Sequence, residues 1–323
     1  NTPINELCFF QCSLVIEPLG SSEIRPYPRR SIEQLDDEER SLELLYRHRP
    51  TFAVGHGCAA EWSANALAAT QVRTETLPVF EQAPVVPRTD FPGAQLSMSK
   101  LAEADPNSLF NACKALADAY REWIAGRDAE LDADPALDAG LRLTGKRHLE
   151  ECRSCLGRIE DGAQLLHDDG IARDAFQAMN RAMLEQREHY NLASSDDMRR
   201  TWVQTESGVV PSRPYSVPGY PATTSWRPFQ LAFVLMNIRS FVDPTHDERS
   251  LVDIIWFPTG GGKTEAYLGL AAFAILLRRM CNAEDAGTTV LMRYTLRLLT
   301  TQQFQRAASL ICALERMRRD NPG

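Results

Sequence analysis

The spacing of apolar positions divides the chain into regions of different predicted structure. Residues 1–96 carry short apolar runs broken by prolines, as at 14–16 and 51–54, and such runs predict strands. Four acidic residues at 36–39 predict the start of a helix that continues to Leu45, because carboxylates are favoured at the N-terminal end of a helix. The pattern therefore predicts a mixed α/β region at the start of the chain.

The apolar residues of the next region recur at spacings of three and four, which predicts an α-helical accessory domain over 97–200. A proline-rich stretch over 201–225 shows little periodicity and predicts a linker. Beyond it, two nearly continuous apolar runs, 251–257 and 288–293, alternate with helical patterns. Buried strands that alternate with helices predict the beginning of a parallel α/β sheet over 226–323.

The segment with the clearest chemistry lies between the first of these strands and the following helix. Glycines there allow backbone N–H groups to converge on phosphate oxygens, and the start of the helix adds a favourable dipole. A lysine would bind the β- and γ-phosphates of ATP and a threonine hydroxyl would bind Mg²⁺. The candidate cofactor-binding residues are Thr259, Gly260, Gly261, Gly262, Lys263, Thr264 and Glu265. Lys263 and Thr264 are also the candidate catalytic residues, with Thr264 as the Mg²⁺ ligand.

One position departs from the general phosphate-loop pattern, since Phe257 stands where that pattern has glycine. The alternative interpretation is a structural glycine turn followed by a solvated lysine. The agreement of the apolar run, the glycines, the Lys-Thr pair and the helical pattern favours the phosphate loop.

The segment 258–264 resembles motif I of superfamily-two helicases, and two flanking segments resemble other motifs of the same proteins. Upstream, 226–230 is similar to the Q motif. This similarity implies that Gln230 pairs with the adenine edge, that Arg227 lies at the nucleotide, and that Phe229 or Trp226 contacts the purine. A helix that starts after a proline is the alternative explanation of this segment.

Downstream, 295–303 resembles motif Ia, which holds a nucleic-acid backbone. The similarity implies that Thr295, Arg297 and Gln302 contact nucleic acid. Thr295 and Leu296 replace the Pro and Thr of that motif. An ordinary turn before a helix is the alternative.

Longer stretches, 256–269 and 291–300, resemble the DrmA helicases of DISARM, a bacterial anti-phage defence system. This resemblance implies a P-loop RecA-like motor that uses ATP and Mg²⁺, acts on DNA and has a DrmB-like protein partner. The residues before 226 resemble the family's N-terminal region without diagnostic chemistry.

Hydrolysis of ATP also needs a carboxylate for the metal and the water, and no apolar run ending in Asp-Glu follows the second predicted strand. We expect a piece of a longer polypeptide, ending before Walker B, that binds nucleotide without turnover. The preferred hypothesis is part of an ATP-dependent DNA helicase or translocase. The alternative is a nucleotide-binding interaction module whose P-loop gates a partner without driving translocation.

Composition and charge limit the remaining classes. The 323 residues are 44% hydrophobic and 24% charged, as in ordinary globular proteins. No leader or membrane-length apolar run is evident, so we expect a cytoplasmic protein without membrane association. The net charge of -8 is uneven: 226–323 hold 12 Lys and Arg against 9 Asp and Glu, and 1–225 hold 23 against 34. The region with the helicase-like motifs is therefore basic and compatible with DNA.

A weaker candidate is a metal site. His148, Cys152 and Cys155 share one face of a predicted helix, and His167 is the nearby fourth candidate ligand. No second Cys-x-x-Cys pair exists, so thiols packed on an amphipathic helix are favoured over zinc.

Overall fold

The computed structural model describes residues 12–28, 30–64, 68–79, 86, 88, 91–194, 202–206, 208–211, 224–256, 262–293 and 297–320. The helices are α1 (Asp37–Leu45), α2 (Met98–Glu103), α3 (Pro106–Ala133), α4 (Ala139–Asp168), α5 (Gly170–Ser194), α6 (Pro228–Val242), α7 (Lys263–Cys281) and α8 (Arg297–Asp320). The strands are β1 (Val15–Ile16), β2 (Ala59–Ala64), β3 (Ala69–Glu75), β4 (Trp202–Thr205) and β5 (Gly208–Pro211).

The chain divides into two compact units. One comprises the described residues within 1–84 and 126–151, and the other comprises those within 85–125 and 152–323. Helices α3 and α4 each contribute residues to both units. The mixed α/β class is confirmed, whereas the domain boundaries drawn from the sequence stay a prediction.

The first unit contains an antiparallel sheet of strand order β1–β3–β2. Its small core is formed by Phe52, Ala69 and Val72. The strand predicted at 14–16 is confirmed by β1, but the strand predicted at 51–54 is wrong. The backbone there is irregular although Phe52 is buried, because a side chain can fill a core without its backbone joining a ladder.

Helix α1 begins as its acidic sequence predicts. The Asp36 carboxylate accepts a hydrogen bond from the Glu39 N–H at 2.8 Å, and the Glu39 carboxylate accepts one from the Asp36 N–H at 3.1 Å. This reciprocal capping satisfies two backbone donors that the helix itself leaves without partners.

In the second unit, α5 packs against α2, α7 and α8, and α6 packs against α7. The largest fully buried side chains of these helices include Phe176, Met179, Met183, Leu231, Leu235, Ile238, Leu268 and Phe273. The helices predicted over 97–200 and after the linker are thus confirmed, and their apolar stripes form this core. No helix among the described residues is long and apolar enough to cross a bilayer.

The part of α4 that belongs to this unit meets α6 at Gly162. A Cβ built there would lie 2.1 Å from the carbonyl oxygen of Leu235, so only glycine fits. Beside it, the Arg239 guanidinium donates two hydrogen bonds to Asp161, at 2.6 and 2.7 Å. The two helices are therefore joined by backbone contact and by a bidentate ion pair.

Part of the predicted linker is ordered as a hairpin. Strands β4 and β5 pair antiparallel across a tight connection, from Trp202 with Pro211 to Thr205 with Gly208. Gly208 has a φ of 123°, which side chains rarely adopt. The rest of the predicted linker up to 223 lies outside the described residues.

The strands predicted at 251–257 and 288–293 are wrong for the described residues of those runs. Residues 251–256 and 288–293 form no strand, and Val252, Ile254 and Trp256 are exposed. A strand requires a neighbour that pairs with its backbone, and the described residues supply none for either run. The expected parallel sheet is therefore not formed by the part of the chain that the structure describes.

The first of these runs is instead held by an ion pair. Arg158 of α4 donates hydrogen bonds to both Asp253 oxygens at 2.7 and 2.8 Å, and to Glu248 at 3.0 Å. The hydrogen bond from Arg158 keeps the pKa of Asp253 below its ordinary value, and Arg158 in turn has a raised pKa.

The Asp253 ion pair predicts a specific pH dependence of stability. The pKa of Asp253 is lower in the folded state than in the unfolded state. The ion pair therefore adds to the free energy of unfolding above the unfolded carboxyl pKa of about 4, and this addition is lost as the pH falls through the folded pKa. Asp253→Asn should lower the free energy of unfolding at pH 7 and flatten its dependence on pH below about 4. Urea unfolding across pH 2–7 checks this, with the exposed Asp37→Asn as control. Parallel acid profiles of Asp253→Asn and the wild type would contradict it.

Candidate nucleotide-binding site

The site is organised by the start of α7. Gly262 precedes the helix with a φ of 81°, and a Cβ there would lie 2.7 Å from the side-chain nitrogen of Gln230. Both the backbone conformation and the available space therefore require glycine. Lys263 and Thr264 form the first helical residues, where backbone N–H groups have no partner within the helix. The predicted Thr259, Gly260 and Gly261, together with Phe257 and Pro258, lie outside the described residues.

Gln230 connects α6 to this helix start. Its side chain is 3% exposed; its Nε2 donates to the carbonyl oxygen of Gly262 at 2.6 Å. Its Oε1 accepts from the backbone N–H of Arg227 at 2.7 Å, and the Arg227 Cδ lies 3.8 Å from the Gly262 Cβ position. Residues that are more than thirty positions apart in sequence thus meet at one place. Both ends of the buried amide therefore hydrogen-bond to the backbone, one to Arg227 and the other to Gly262.

This geometry predicts that Gln230→Glu destabilises the protein. The carboxylate would still accept from Arg227, but it has no N–H for Gly262 and would face that carbonyl oxygen across a buried contact. A loss of about 1–3 kcal/mol is expected, as for a buried polar group left without its partner. Urea unfolding measures the loss, with Gln302→Glu as an exposed control. Equal stability of the two variants would show that the Gly262 contact contributes nothing.

Trp226 is one residue upstream and is 2% exposed. Its indole N–H donates to Asn180 Oδ1 at 2.7 Å, and its ring lies against Gly269 of α7, where a Cβ would be 2.7 Å from Cη2. The ring therefore has no free face for a purine, and the sequence-based suggestion for this residue is wrong. Phe229, half-buried on α6, is the remaining aromatic candidate.

The first turn of α7 makes two further contacts. The Tyr267 hydroxyl donates to Thr264 Oγ1 at 2.9 Å, which orients the threonine hydroxyl. Glu265 Oε1 accepts from Arg306 of α8 at 2.5 Å and lies 3.6 Å from Arg187 of α5. The contact between Tyr267 and Thr264 could be expected from the sequence, because residues three positions apart are neighbours on the surface of a helix. The sequence gives no sign of either arginine contact.

The structure describes two of the three residues that were predicted to contact nucleic acid. Thr295 lies outside the described residues, Arg297 is the first residue of α8, and Gln302 is exposed on that helix. Four positions after Gln302, on the same face, is Arg306. Arg306 of α8 is thus joined to the first turn of α7 by its ion pair with Glu265.

The thiol and histidine residues do not converge. His148 Nε2 lies 2.9 Å from Ser41 Oγ, and His167 lies within hydrogen-bonding distance of Asp168 and Asn107. Cys152 and Cys155 are half-buried on α4. Within the described ranges, no three His, Cys, Asp or Glu side chains are grouped as metal ligands would be.

The described residues form a helix N-terminus that is preceded by a left-handed glycine and opened by Lys-Thr. Such helix starts are common places for phosphate to bind in proteins. The chain is similar to the DISARM protein DrmA of Bacillus paralicheniformis, with 34% identity over 300 residues, or 86% of the chain. That alignment covers 25% of the DrmA protein, so the chain spans about a quarter of the relative that it matches. No family model matches the chain.

Proposed function

We propose that the chain carries the nucleotide-binding part of an ATP-dependent DNA helicase or translocase with a P-loop RecA-like motor. The observation that supports this most strongly is the contact of Gln230 with Gly262 directly before Lys263. Two segments that resemble separate helicase motifs, one for adenine and one for phosphate, are adjacent at one helix start.

The residues present fit ATP with Mg²⁺. A side chain at Gly262 would collide with the Gln230 amide, and the first N–H groups of α7 would provide donors for phosphate. Lys263 would hold the β- and γ-phosphates, Phe229 and Gln230 would hold the adenine, and the Thr264 hydroxyl would bind the metal. Mg²⁺, when bound, neutralises charge on the phosphate oxygens.

The proposed DNA contacts lie at the start of α8. Arg297 and Gln302 would bind the phosphate backbone, as would Thr295 before the helix. The positive balance of 226–323 supports an anionic polymer as the partner of this region.

The similarity to DrmA supports a function in anti-phage defence. By the same similarity we propose a DrmB-like protein partner. The acidic residues of 1–225 make that region a poor DNA surface, and it is the better candidate for contact with a protein.

The test is DNA-stimulated ATP hydrolysis and strand displacement by the full-length protein, compared with its Lys263→Ala variant. Activity that requires Lys263 supports the motor. Binding of ATP that controls association with a protein partner, without DNA-stimulated hydrolysis, would favour the alternative of a nucleotide-gated interaction module.

A further inference from the structure

Two thiols lie on one face of α4. Cys152 and Cys155 are three residues apart on this helix, and both are half-buried. Residues at this spacing are neighbours on a helix surface, with about 5–6 Å between their Cβ atoms. The two sulfur atoms can therefore approach one point beside the helix.

Helix α3 places the phenol of Tyr120 against this pair. The Tyr120 hydroxyl donates a hydrogen bond to Cys152. Burial raises the pKa of Tyr120, and the hydrogen bond to Cys152 and the charge of a nearby Cys155 thiolate raise it further. The hydroxyl therefore stays protonated at neutral pH and remains a donor to the sulfur.

Two further contacts hold Tyr120 in this position. The ring of Trp123 stacks on that of Tyr120, with 5.8 Å between the ring centroids and 17° between their planes. Arg121, the next residue of α3, forms an ion pair with Glu160 of α4. The thiol pair thus lies at a contact between two helices, with a polar donor beside it.

The helical spacing discriminates among the reactions open to two thiols. A disulfide requires Cβ atoms about 3.5–4.5 Å apart, which is closer than an intact helix provides at this spacing. Zinc requires four ligands, and the residues that the structure describes contain no group of three His, Cys, Asp or Glu suited to a metal. A soft monovalent cation such as Cu(I) is selected by thiolates and can be bound by only two of them, with the sulfur atoms held apart.

We propose that Cys152 and Cys155 bind one monovalent thiophilic cation, of which Cu(I) is the representative. Each thiol releases its proton to water as its sulfur–metal bond forms, and the metal keeps its oxidation state. The Tyr120 hydroxyl donates to the Cys152 sulfur and stabilises the negative charge of the thiolate. This binding does not require the proposed nucleotide site.

The experiment titrates the reduced full-length protein with Cu(I) in the absence of oxygen, in competition with a chromogenic Cu(I) chelator. Cys152→Ser and Cys155→Ser should each weaken the binding of one Cu(I) per chain by about a hundredfold or more, because a second tethered contact commonly adds about 10²–10⁴ in affinity. The control is Cys312→Ser, which removes an exposed thiol of α8 that has no other cysteine within four positions. This variant should bind Cu(I) as the wild type does.

Alkylation of the wild type provides a second measurement, which needs no substitution. Cu(I), buffered by the chelator at the concentration that fills the site, should suppress the reaction of both Cys152 and Cys155 with iodoacetamide. Peptide mass spectrometry identifies the protected residues. Cys312 should react at the same rate with and without the metal.

Cu(I) binding that is unchanged in Cys152→Ser or in Cys155→Ser, or an equal loss in Cys312→Ser, would overturn the inference. Equal alkylation of Cys152 and Cys155 with and without Cu(I) would also overturn it. A Cys152–Cys155 disulfide that forms in air, without protection of the thiols by Cu(I), would identify a redox pair instead of a cation site.

Discussion

Lys263→Ala is expected to remove ATP binding and, with it, phage resistance in cells that depend on this protein. The substitution removes the ammonium group of the first residue of α7, which directly follows the left-handed Gly262. Truncating one partner of a desolvated charge contact commonly costs about 2–5 kcal/mol, which corresponds to at least about a thirtyfold weaker ATP affinity. The measurements are titration with a fluorescent ATP analogue and the efficiency of phage plating.

The matched control is Lys114→Ala, which removes an exposed lysine paired with Asp118 on α3. It should leave ATP affinity and plating unchanged. Lys263→Arg separates charge from shape: it keeps the cation but replaces a compact ammonium with a planar group. If Lys263→Ala retains both affinity and phage resistance, Lys263 does not bind ATP and the glycine before it forms a structural turn.

Trp226→Ala is expected to cause the largest loss of stability in the second unit. The fully buried indole contacts Gly269 of α7 and donates to Asn180 of α5, and its backbone N–H bonds to the Leu96 carbonyl. Truncation of a buried tryptophan typically costs about 3–5 kcal/mol, and here it also leaves the buried Asn180 oxygen without that donor. Urea unfolding followed by far-ultraviolet circular dichroism gives the value.

Trp123→Ala serves as the control, because that indole is 47% exposed and should cost clearly less. Trp226→Phe keeps much of the packing but removes the N–H, so its loss should fall between the wild type and Trp226→Ala. Since Trp226 directly precedes Arg227, both variants should also weaken ATP binding. Similar unfolding midpoints for Trp226→Ala and Trp123→Ala would show that the indole does not join α5 to α7.

The packed helices of the second unit were predictable from sequence because their apolar stripes meet other helices. Phe176, Met179 and Met183 of α5 illustrate this, since their spacing of three and four places all of them in the core. The capped start of α1 was also evident, because acidic capping depends only on neighbouring residues.

The strands were less predictable because strand formation depends on distant partners. β2 and β3 are rich in Ala and polar residues, so their pairing is not evident from their sequences. The runs 251–256 and 288–293 have the opposite character: they are apolar, yet they stay exposed where no described strand pairs with them. Apolar composition predicts burial only if a partner is available.

For the candidate site, the sequence indicated which residue types would matter but not how they are used. Gln230 and Gly262 were both candidates, and their hydrogen bond brings the two motifs together. The burial of Trp226 and the contact of Arg306 with Glu265 were not predictable, because each depends on a helix far away in sequence.

The two exposed apolar runs are each tethered at one point by an arginine from a neighbouring helix. Arg158 pairs with Asp253 in the first run. Arg278 pairs with Asp285 before the second run and donates to the Thr288 carbonyl and the Thr289 hydroxyl at its start. Fixing a backbone residue costs about 1–2 kcal/mol of conformational entropy. Because these tethers already restrict both runs, a strand that pairs with either one would lose less entropy than it would against a free segment. Arg158 and Arg278 thus limit the backbone freedom of two apolar runs with which no described strand pairs.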